Sequence, residues 1–139
     1  MTAEDNRWRH CDLKTISLVG NVLMRQLAAD AGAVETVMFR DGNLTEASPS
    51  KVLGVIGAGI IAPPKDNLIL PGITYGATYE FAQEAGIPFS IRPVSRAEAL
   101  GASEMWLTSS TKEVLAVTTV DGAPFAGGKP GPVFRRMHA

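Results

Sequence analysis

Apolar side chains repeat every three or four positions along one segment near the start of the chain. The repeat covers residues 17–31 and ends at Gly32, which predicts an amphipathic helix. A second helix is predicted from a Pro-Gly pair at residue 71 to about residue 85. A short third helix over residues 95–100 begins with a serine that is followed three residues later by a glutamate, the pattern of a capping box.

Most of the remaining apolar positions lie in short runs, rich in β-branched residues, that are separated by turn sequences. Asp41-Gly42 and Asp121-Gly122 are typical of hairpin turns. The first ten residues read as an extended lead-in, and residues 129–139 as the start of a helix with a small apolar face. The predicted strands cover residues 34–40, 43–46, 51–56, 59–62, 68–70, 89–92, 104–108, 114–120 and 123–125.

Composition narrows the class of protein. A chain of 139 residues, 45% hydrophobic and 19% charged, fits a single domain, residues 1–139, with a modest core. Thirteen basic and 14 acidic residues give a formal charge of -1, so nucleic acid and anionic membranes are not expected as main partners. Small molecules or proteins are expected instead.

Cys11 is the single cysteine, which excludes an intramolecular disulfide and a cysteine-rich metal site and suits a reducing compartment. The polar start of the chain does not resemble a signal peptide, and no apolar run reaches the roughly 18 residues of a membrane span. We therefore expect a soluble cytoplasmic protein with no metal site.

Lys14 lies directly before the first predicted helix, between the apolar residues Leu13 and Ile16 and downstream of two arginines and a histidine. Burial or a neighbouring cation can keep a lysine partly neutral, which makes it a nucleophile toward carbonyl groups. The alternative is an ordinary solvated lysine at a helix start.

Three further features could serve the same chemistry. Glu46 ends a predicted strand and could pair with a protonated ring nitrogen, or could face water. Thr74 opens a helix and residues 109–111 form a hydroxyl-rich turn, and each could hold a phosphate or be an ordinary cap or turn. Together, a lysine, a carboxylate and two anion-binding loops are the groups that pyridoxal phosphate requires.

Five strings closely resemble the class IV, or fold type IV, aminotransferases, whose D-amino-acid, branched-chain and aminodeoxychorismate lyase members share one scaffold. The D-amino-acid type is the nearest in appearance. The resemblance covers nearly the whole chain but only the family's cofactor-binding C-terminal domain, so the N-terminal domain is expected to be absent. The strings are RWRHCDLKT (7–15), GNVL (20–23), LTEAS (44–48), LPGIT (70–74) and TSSTKE (108–113).

The resemblance implies a role for each matching residue. Lys14 would form the Schiff base with the cofactor and shuttle the proton, and Glu46 would keep the pyridine nitrogen protonated. Leu70 would pack on the ring and Arg7 would lie near the cofactor. The phosphate would be held by Ile73, Thr74, Ser109 and Ser110.

The resemblance also implies an α/β fold with a mixed sheet forming a partial barrel flanked by helices. The implied activity is transamination between a D-amino acid and a 2-oxo acid. A branched-chain aminotransferase, an aminodeoxychorismate lyase and a non-catalytic truncated domain remain alternatives. An uncovered apolar face predicts a homodimer or another protein partner.

One departure from the family concerns the residues that follow Glu46. Where the family often has Ser-Ser-Asn, this chain has Pro49-Ser50-Lys51. The surroundings of the cofactor are therefore expected to differ here from those of its relatives.

Overall fold

The computed structural model describes residues 1–138 and shows an α/β fold in which short strands alternate with four α-helices. In chain order the elements are β1 (Thr2–Glu4), α1 (Val19–Asp30), β2 (Val37–Arg40), β3 (Asn43–Ala47), β4 (Lys51–Ile56), β5 (Gly59–Ala62), α2 (Ile73–Glu84), β6 (Phe89–Ile91), α3 (Arg96–Leu100), β7 (Glu104–Ser109), β8 (Glu113–Ala116), β9 (Thr119–Val120), β10 (Ala123–Pro124), a 3₁₀ turn (Ala126–Gly128) and α4 (Pro132–His138).

The strands form one larger and two smaller sheets. The larger sheet has the order β6-β5-β4-β7-β8, with β5 and β6 parallel and the other pairs antiparallel. A three-stranded sheet has the order β1-β2-β3, and β9 and β10 form a separate hairpin. The α/β class and the mixed sheet are confirmed, but these sheets do not close into a barrel within the described residues.

The core lies on both faces of the five-stranded sheet, because successive side chains of a strand point to opposite faces. On one face Val52 and Leu107 pack with residues of β2 and β3. On the other face Leu53 and Trp106 pack against α2 and α4. The sheet therefore connects two apolar layers, and none of the helices within residues 1–138 is long and apolar enough to cross a membrane.

Several predicted boundaries were wrong. Residues 68–70 form a turn instead of a strand, because Asp66 accepts a hydrogen bond from the Leu68 amide. The predicted strand over residues 114–120 is divided into β8 and β9. The predicted strand over residues 34–40 is regular only from Val37, and the first helix begins at Val19.

The sequence predicted the elements near the end of the chain better than the element at its start. The lead-in contains β1, which pairs in parallel with β2 and was not predicted. The short helix over residues 96–100 has the expected capping box. The predicted last helix is α4, and its final predicted residue, 139, lies outside the described residues.

A buried carboxylate anchors α4. The two oxygens of Glu104 accept hydrogen bonds from the Val133 and Phe134 amides, both at 2.8 Å, and Oε2 also accepts one from the Trp106 indole at 3.1 Å. A methyl group on Gly131 would overlap this carboxylate. The small apolar face of α4 is thus supplemented by a charged cap, which is stabilising at a helix N-terminus.

We expect Glu104→Gln to lower the free energy of unfolding by about 1–3 kcal/mol, because a neutral amide cannot accept all three hydrogen bonds of this buried group. Urea denaturation measures the change, and hydrogen exchange should show α4 opening first. Glu80→Gln, on the exposed side of α2, is the matched control. Equal stability of Glu104→Gln and the control would contradict this role for Glu104.

A second buried polar group joins the lead-in to the three-stranded sheet. The carboxylate of Asp5 accepts hydrogen bonds from the side chains of Arg7, Arg40 and Thr45 at 2.7–3.1 Å. Burial opposes ionisation of Asp5, but the hydrogen bonds from Arg7 and Thr45 outweigh it and lower the pKa of this carboxyl. The Asp5 side chain is fully buried, so water cannot replace its carboxylate as the hydrogen-bond acceptor of Arg7 and Arg40.

The lowered pKa of Asp5 makes stability depend on pH in acid. A carboxyl with a depressed folded-state pKa stabilises the fold above its unfolded pKa, here near the ordinary 3.8, and loses this effect as the pH falls through the folded-state pKa. We expect Asp5→Asn to cost about 3–5 kcal/mol near neutral pH, because buried Arg40 loses its counter-ion and buried Arg7 loses one of its two. The difference from wild type should be constant above about pH 5 and shrink below about pH 4.

Urea denaturation between neutral and acidic pH measures this difference, with the exposed Asp12→Asn as control. A difference that stays constant down to the lowest pH at which both proteins fold would contradict the assignment to Asp5.

Candidate functional site

A cavity lies between the irregular segment before α1, the first turns of α1 and the connection from β3 to β4. Its volume is about 420 Å³. Apolar parts of its wall come from Trp8, Leu13, Leu18 and Val22. A space of this size, with apolar walls and a few polar groups, is typical of small-molecule sites.

The charges on the cavity wall are strongly unequal. Four basic side chains line it, those of Arg7, Lys14, Arg25 and Lys51, against the single carboxylate of Glu46, which gives a formal charge of +3. A partly enclosed space with this excess attracts anions. The cavity is therefore suited to a ligand with phosphate or carboxylate groups, although the chain as a whole is nearly neutral.

Glu46 lies at the centre of these charges and is only 4% exposed. Its Oε1 accepts a hydrogen bond from Arg7 Nη1, and its Oε2 one from Lys51 Nζ at 2.5 Å. Both oxygens are thus engaged with cations. A ligand group that approaches this carboxylate has to share or replace one of the two ion pairs.

Arg7 is held much more firmly than Lys51. Besides Glu46, its guanidinium donates to both oxygens of Asp5 at 2.8 and 2.9 Å and to the Leu68 carbonyl at 3.0 Å. Burial opposes its charge, but Asp5 and Glu46 outweigh this and raise the pKa of Arg7 above its ordinary value. Arg7 therefore acts as a fixed cation beneath Glu46.

The close approach of α1 to Arg7 depends on a glycine. A methyl group on Gly20 would lie 2.9 Å from Arg7 Cγ, which is too short for a carbon contact. The next residue, Asn21, donates a hydrogen bond from its side-chain Nδ2 to the Ser48 carbonyl at 2.8 Å. The first turn of α1 is thus fixed both to the lead-in and to the β3–β4 connection, and this arrangement shapes the cavity.

Lys14 belongs to the irregular segment that forms one wall of the cavity. Its side chain is exposed and forms no hydrogen bond or ion pair with residues 1–138. The amine is therefore available to a ligand in the same space that contains Glu46. The exposed side chain also agrees with the alternative of an ordinary solvated lysine, so the role of Lys14 stays a prediction.

Leu70 lines the cavity as well, but the next candidate residues lie beyond its wall. Gly72 precedes α2 without any side-chain cap, so the first amides of this helix, at Ile73 and Thr74, have no side-chain acceptor. The side chain of Ile73 is 94% exposed. The Lys51 stem connects the two regions, since a methyl group on Gly72 would lie 3.6 Å from Lys51 Cε.

Ser109 is the last residue of β7, and Ser110 follows it in the turn to β8. The Ser109 hydroxyl accepts a hydrogen bond from the Lys112 amide at 3.2 Å, and Ser110 is exposed. Thr108, just before them, is the register partner of Lys51. The structure therefore brings Arg7, Lys14, Glu46 and Leu70 into one cavity and places the other four candidates outside its wall, at the start of α2 and at the end of β7.

Three residues of the cavity were missed as candidates from the sequence. Lys51 was noted only as a departure, although opposite charges on either side of a short proline-containing turn are a usable sign of an ion pair. Arg25 was hidden among the polar positions of α1. Cys11 lines the cavity with a buried thiol whose pKa burial raises, and it donates to the Trp8 carbonyl at 3.0 Å.

Comparison with known sequences places this site in a family context. The family model of amino-transferase class IV matches residues 1–120. The D-alanine aminotransferase of Bacillus licheniformis is 37% identical over 137 residues, and that of Staphylococcus aureus (strain N315) is 35% identical over 137 residues. Each match covers 99% of this chain but 48% and 49% of the relative, so the chain spans about half the length of these enzymes.

Solved structures agree with this fold. The branched-chain amino acid aminotransferase from Escherichia coli superposes with a TM-score of 0.83 at 25% identity, covering 99% of this chain and 50% of that one. The branched-chain aminotransferase from Thermobaculum terrenum in its PLP form superposes with a TM-score of 0.87 at 23% identity, covering 98% and 47%. The chain belongs to the class IV aminotransferases, a family of enzymes.

Proposed function

We propose that this chain binds pyridoxal phosphate and serves in transamination between a D-amino acid and a 2-oxo acid. The observation that carries the proposal is the meeting of Lys14, Glu46, Arg7 and Leu70 at one cavity, in a chain of the class IV family. The similarity to the D-alanine aminotransferases supports the D-amino-acid type. The cytoplasm, where free amino and oxo acids are abundant, is the proposed location.

The donor set fits the cofactor. A primary amine suits its aldehyde, a carboxylate suits its ring nitrogen, and a leucine side chain suits the face of its ring. The formal charge of +3 on the cavity wall suits its phosphate. When bound, pyridoxal phosphate supplies an electron sink for the charge left behind when a proton leaves the substrate's α carbon.

Each residue of the chain has a proposed task. Lys14 Nζ binds the cofactor and then carries the proton between the reacting carbons. Glu46 would accept a hydrogen bond from the ring nitrogen, and Arg7 holds Glu46 in place. Leu70 packs on the ring.

The phosphate is assigned to the two loops beside the cavity. The Ile73 and Thr74 amides at the start of α2 are suited to an anion because the helix dipole is positive there. The Thr74 hydroxyl and the hydroxyls of Ser109 and Ser110 add donors.

We assign cofactor binding to this chain and full turnover to an assembly that contains it. The chain spans about half the length of its relatives, and apolar side chains are exposed beside the cavity, with Leu13 53%, Ile16 100% and Leu18 50% exposed. Because a covered site excludes water and holds a substrate more firmly, turnover is proposed for an assembly in which this surface is covered. A homodimer is the assembly that we propose.

Lys14→Ala should abolish the visible absorbance band that a lysine-bound pyridoxal phosphate gives, because Lys51, the other lysine that lines this cavity within residues 1–138, is paired with Glu46. The measurement is a titration of the chain with pyridoxal phosphate, followed by borohydride reduction and peptide mapping of the labelled lysine. Lys65→Ala, a change at an exposed lysine away from the cavity, should leave the band unchanged. A band that persists in Lys14→Ala, or label on a different lysine, would contradict the role of Lys14.

The amino donor is tested in the half-reaction, which needs one substrate only. We expect D-alanine to remove the visible band of the cofactor-loaded protein and to release pyruvate, with L-alanine and L-leucine reacting much more slowly. Stopped-flow absorbance and a pyruvate assay measure these outcomes. Faster reaction with L-leucine would instead identify a branched-chain aminotransferase, and pyruvate release from aminodeoxychorismate alone would identify a lyase.

A further inference from the structure

Lys51 occupies a position between the ring-nitrogen site and the phosphate site. Its ammonium pairs with Glu46, while its stem lies against Gly72 directly before α2. Its backbone pairs in register with Thr108, directly before Ser109 and Ser110. Lys51 thus lies beside both of the loops to which the phosphate is assigned.

An unpartnered buried hydroxyl lies on the same side. Thr108 is 1% exposed, and its Oγ1 has no hydrogen-bond partner within residues 1–138. Register partners in antiparallel strands place their side chains on the same face of the sheet, so this hydroxyl lies beside the Lys51 side chain. An unpaired hydroxyl next to a cation and a free helix N-terminus indicates that this place is suited to an anion.

The ion pair of Lys51 is the weaker of the two on Glu46. The Lys51 side chain is 12% exposed and has Glu46 as its one hydrogen-bond partner in the described residues. Arg7 is 3% exposed and is also fixed by Asp5 and by the Leu68 carbonyl. A group that arrives at Glu46 therefore displaces Lys51 more easily than Arg7.

We propose that Lys51 is a mobile counter-ion, which moves from Glu46 to the phosphate when pyridoxal phosphate binds. This inference rests on the proposed function. The move frees Glu46 Oε2 for the ring nitrogen and adds a cation to a phosphate otherwise held by backbone amides and hydroxyls. Lys51 is therefore a positioning residue and a phosphate-binding residue, where the family often has asparagine.

The test compares two ligands that differ only in the phosphate. Affinities of wild type and Lys51→Met for pyridoxal phosphate and for pyridoxal are measured by absorbance titration at fixed ionic strength. We expect Lys51→Met to bind pyridoxal phosphate about tenfold more weakly, since a charge-assisted contact is lost. Its affinity for pyridoxal should be unchanged or higher, because the competitor for Glu46 is gone.

Matched variants separate this role from a general loss of structure. Lys51→Arg should retain most of the preference for the phosphorylated ligand, and Lys129→Met, at an exposed lysine outside the cavity, should behave as wild type. Lys51→Asn replaces Lys51→Met if the latter does not fold, as judged by near-ultraviolet circular dichroism. An equal change for both ligands, or no change for either, would overturn the inference.

A second measurement keeps the inference separate from the proposed function. If wild type binds neither aldehyde, the proposed function fails for this chain. Inorganic phosphate is then used as the probe, with the melting temperature as the readout. Stabilisation of wild type and Lys51→Arg, but not of Lys51→Met, supports the phosphate contact of Lys51, and equal stabilisation of all three rejects it.

Discussion

The site depends on a single buried guanidinium. Arg7 donates to Asp5 in the lead-in, to Glu46 in β3 and to the Leu68 carbonyl ahead of α2. A buried charge is tolerated only when its hydrogen bonds are satisfied, so these three segments must come together or the arginine is left unpaired. The position of the cavity's carboxylate is consequently fixed by the same group that secures the start of the chain to the sheet.

The irregular segments around the cavity are ordered by this network. Residues 7–18 contain no regular element, yet the Cys11 amide donates to the Asn67 carbonyl at 2.8 Å and the Asn67 side chain donates to the Arg9 carbonyl at 2.6 Å. Lys14 and Leu70 are thus carried by two loops that are bound to each other. This is a common arrangement in which loops carry the reactive groups and a rigid sheet positions them.

The sequence predicted correctly those helices and strands whose ends are marked by turn residues or capping residues. The helices α1 and α2, the strands β4 and β5 and the capping box of α3 follow from periodicity, turn residues and caps. Strand β1 was missed because three residues show no periodicity and its pairing partner lies more than 30 residues away. Residues 68–70 were read as a strand from three apolar side chains, although Asp66 fixes a turn there.

The candidate site was likewise predicted only in part. The sequence alone indicated a lysine, a carboxylate and two hydroxyl-rich segments and combined them into a pyridoxal phosphate site, and the resemblance then assigned a role to each residue. The pairing of Arg7 with Glu46 spans 39 residues and has no local sign. The pairing of Glu46 with Lys51 spans five residues and could have been predicted from the tight turn between β3 and β4, in which the Ala47 amide donates to the Ser50 carbonyl.

The two ion pairs of Glu46 differ in role. The pair with Arg7 contributes to the stability of the fold, and the pair with Lys51 can be exchanged for a ligand. On the Arg7 side the carboxylate belongs to a network that also contains Asp5 and Arg40, so a change there would disturb the joint between the lead-in and the sheet. On the Lys51 side it has one flexible partner at the cavity wall. Since Lys51 lies outside the network of Asp5, Arg7 and Arg40, a ligand can take its place at Glu46 while the fold around this network stays intact.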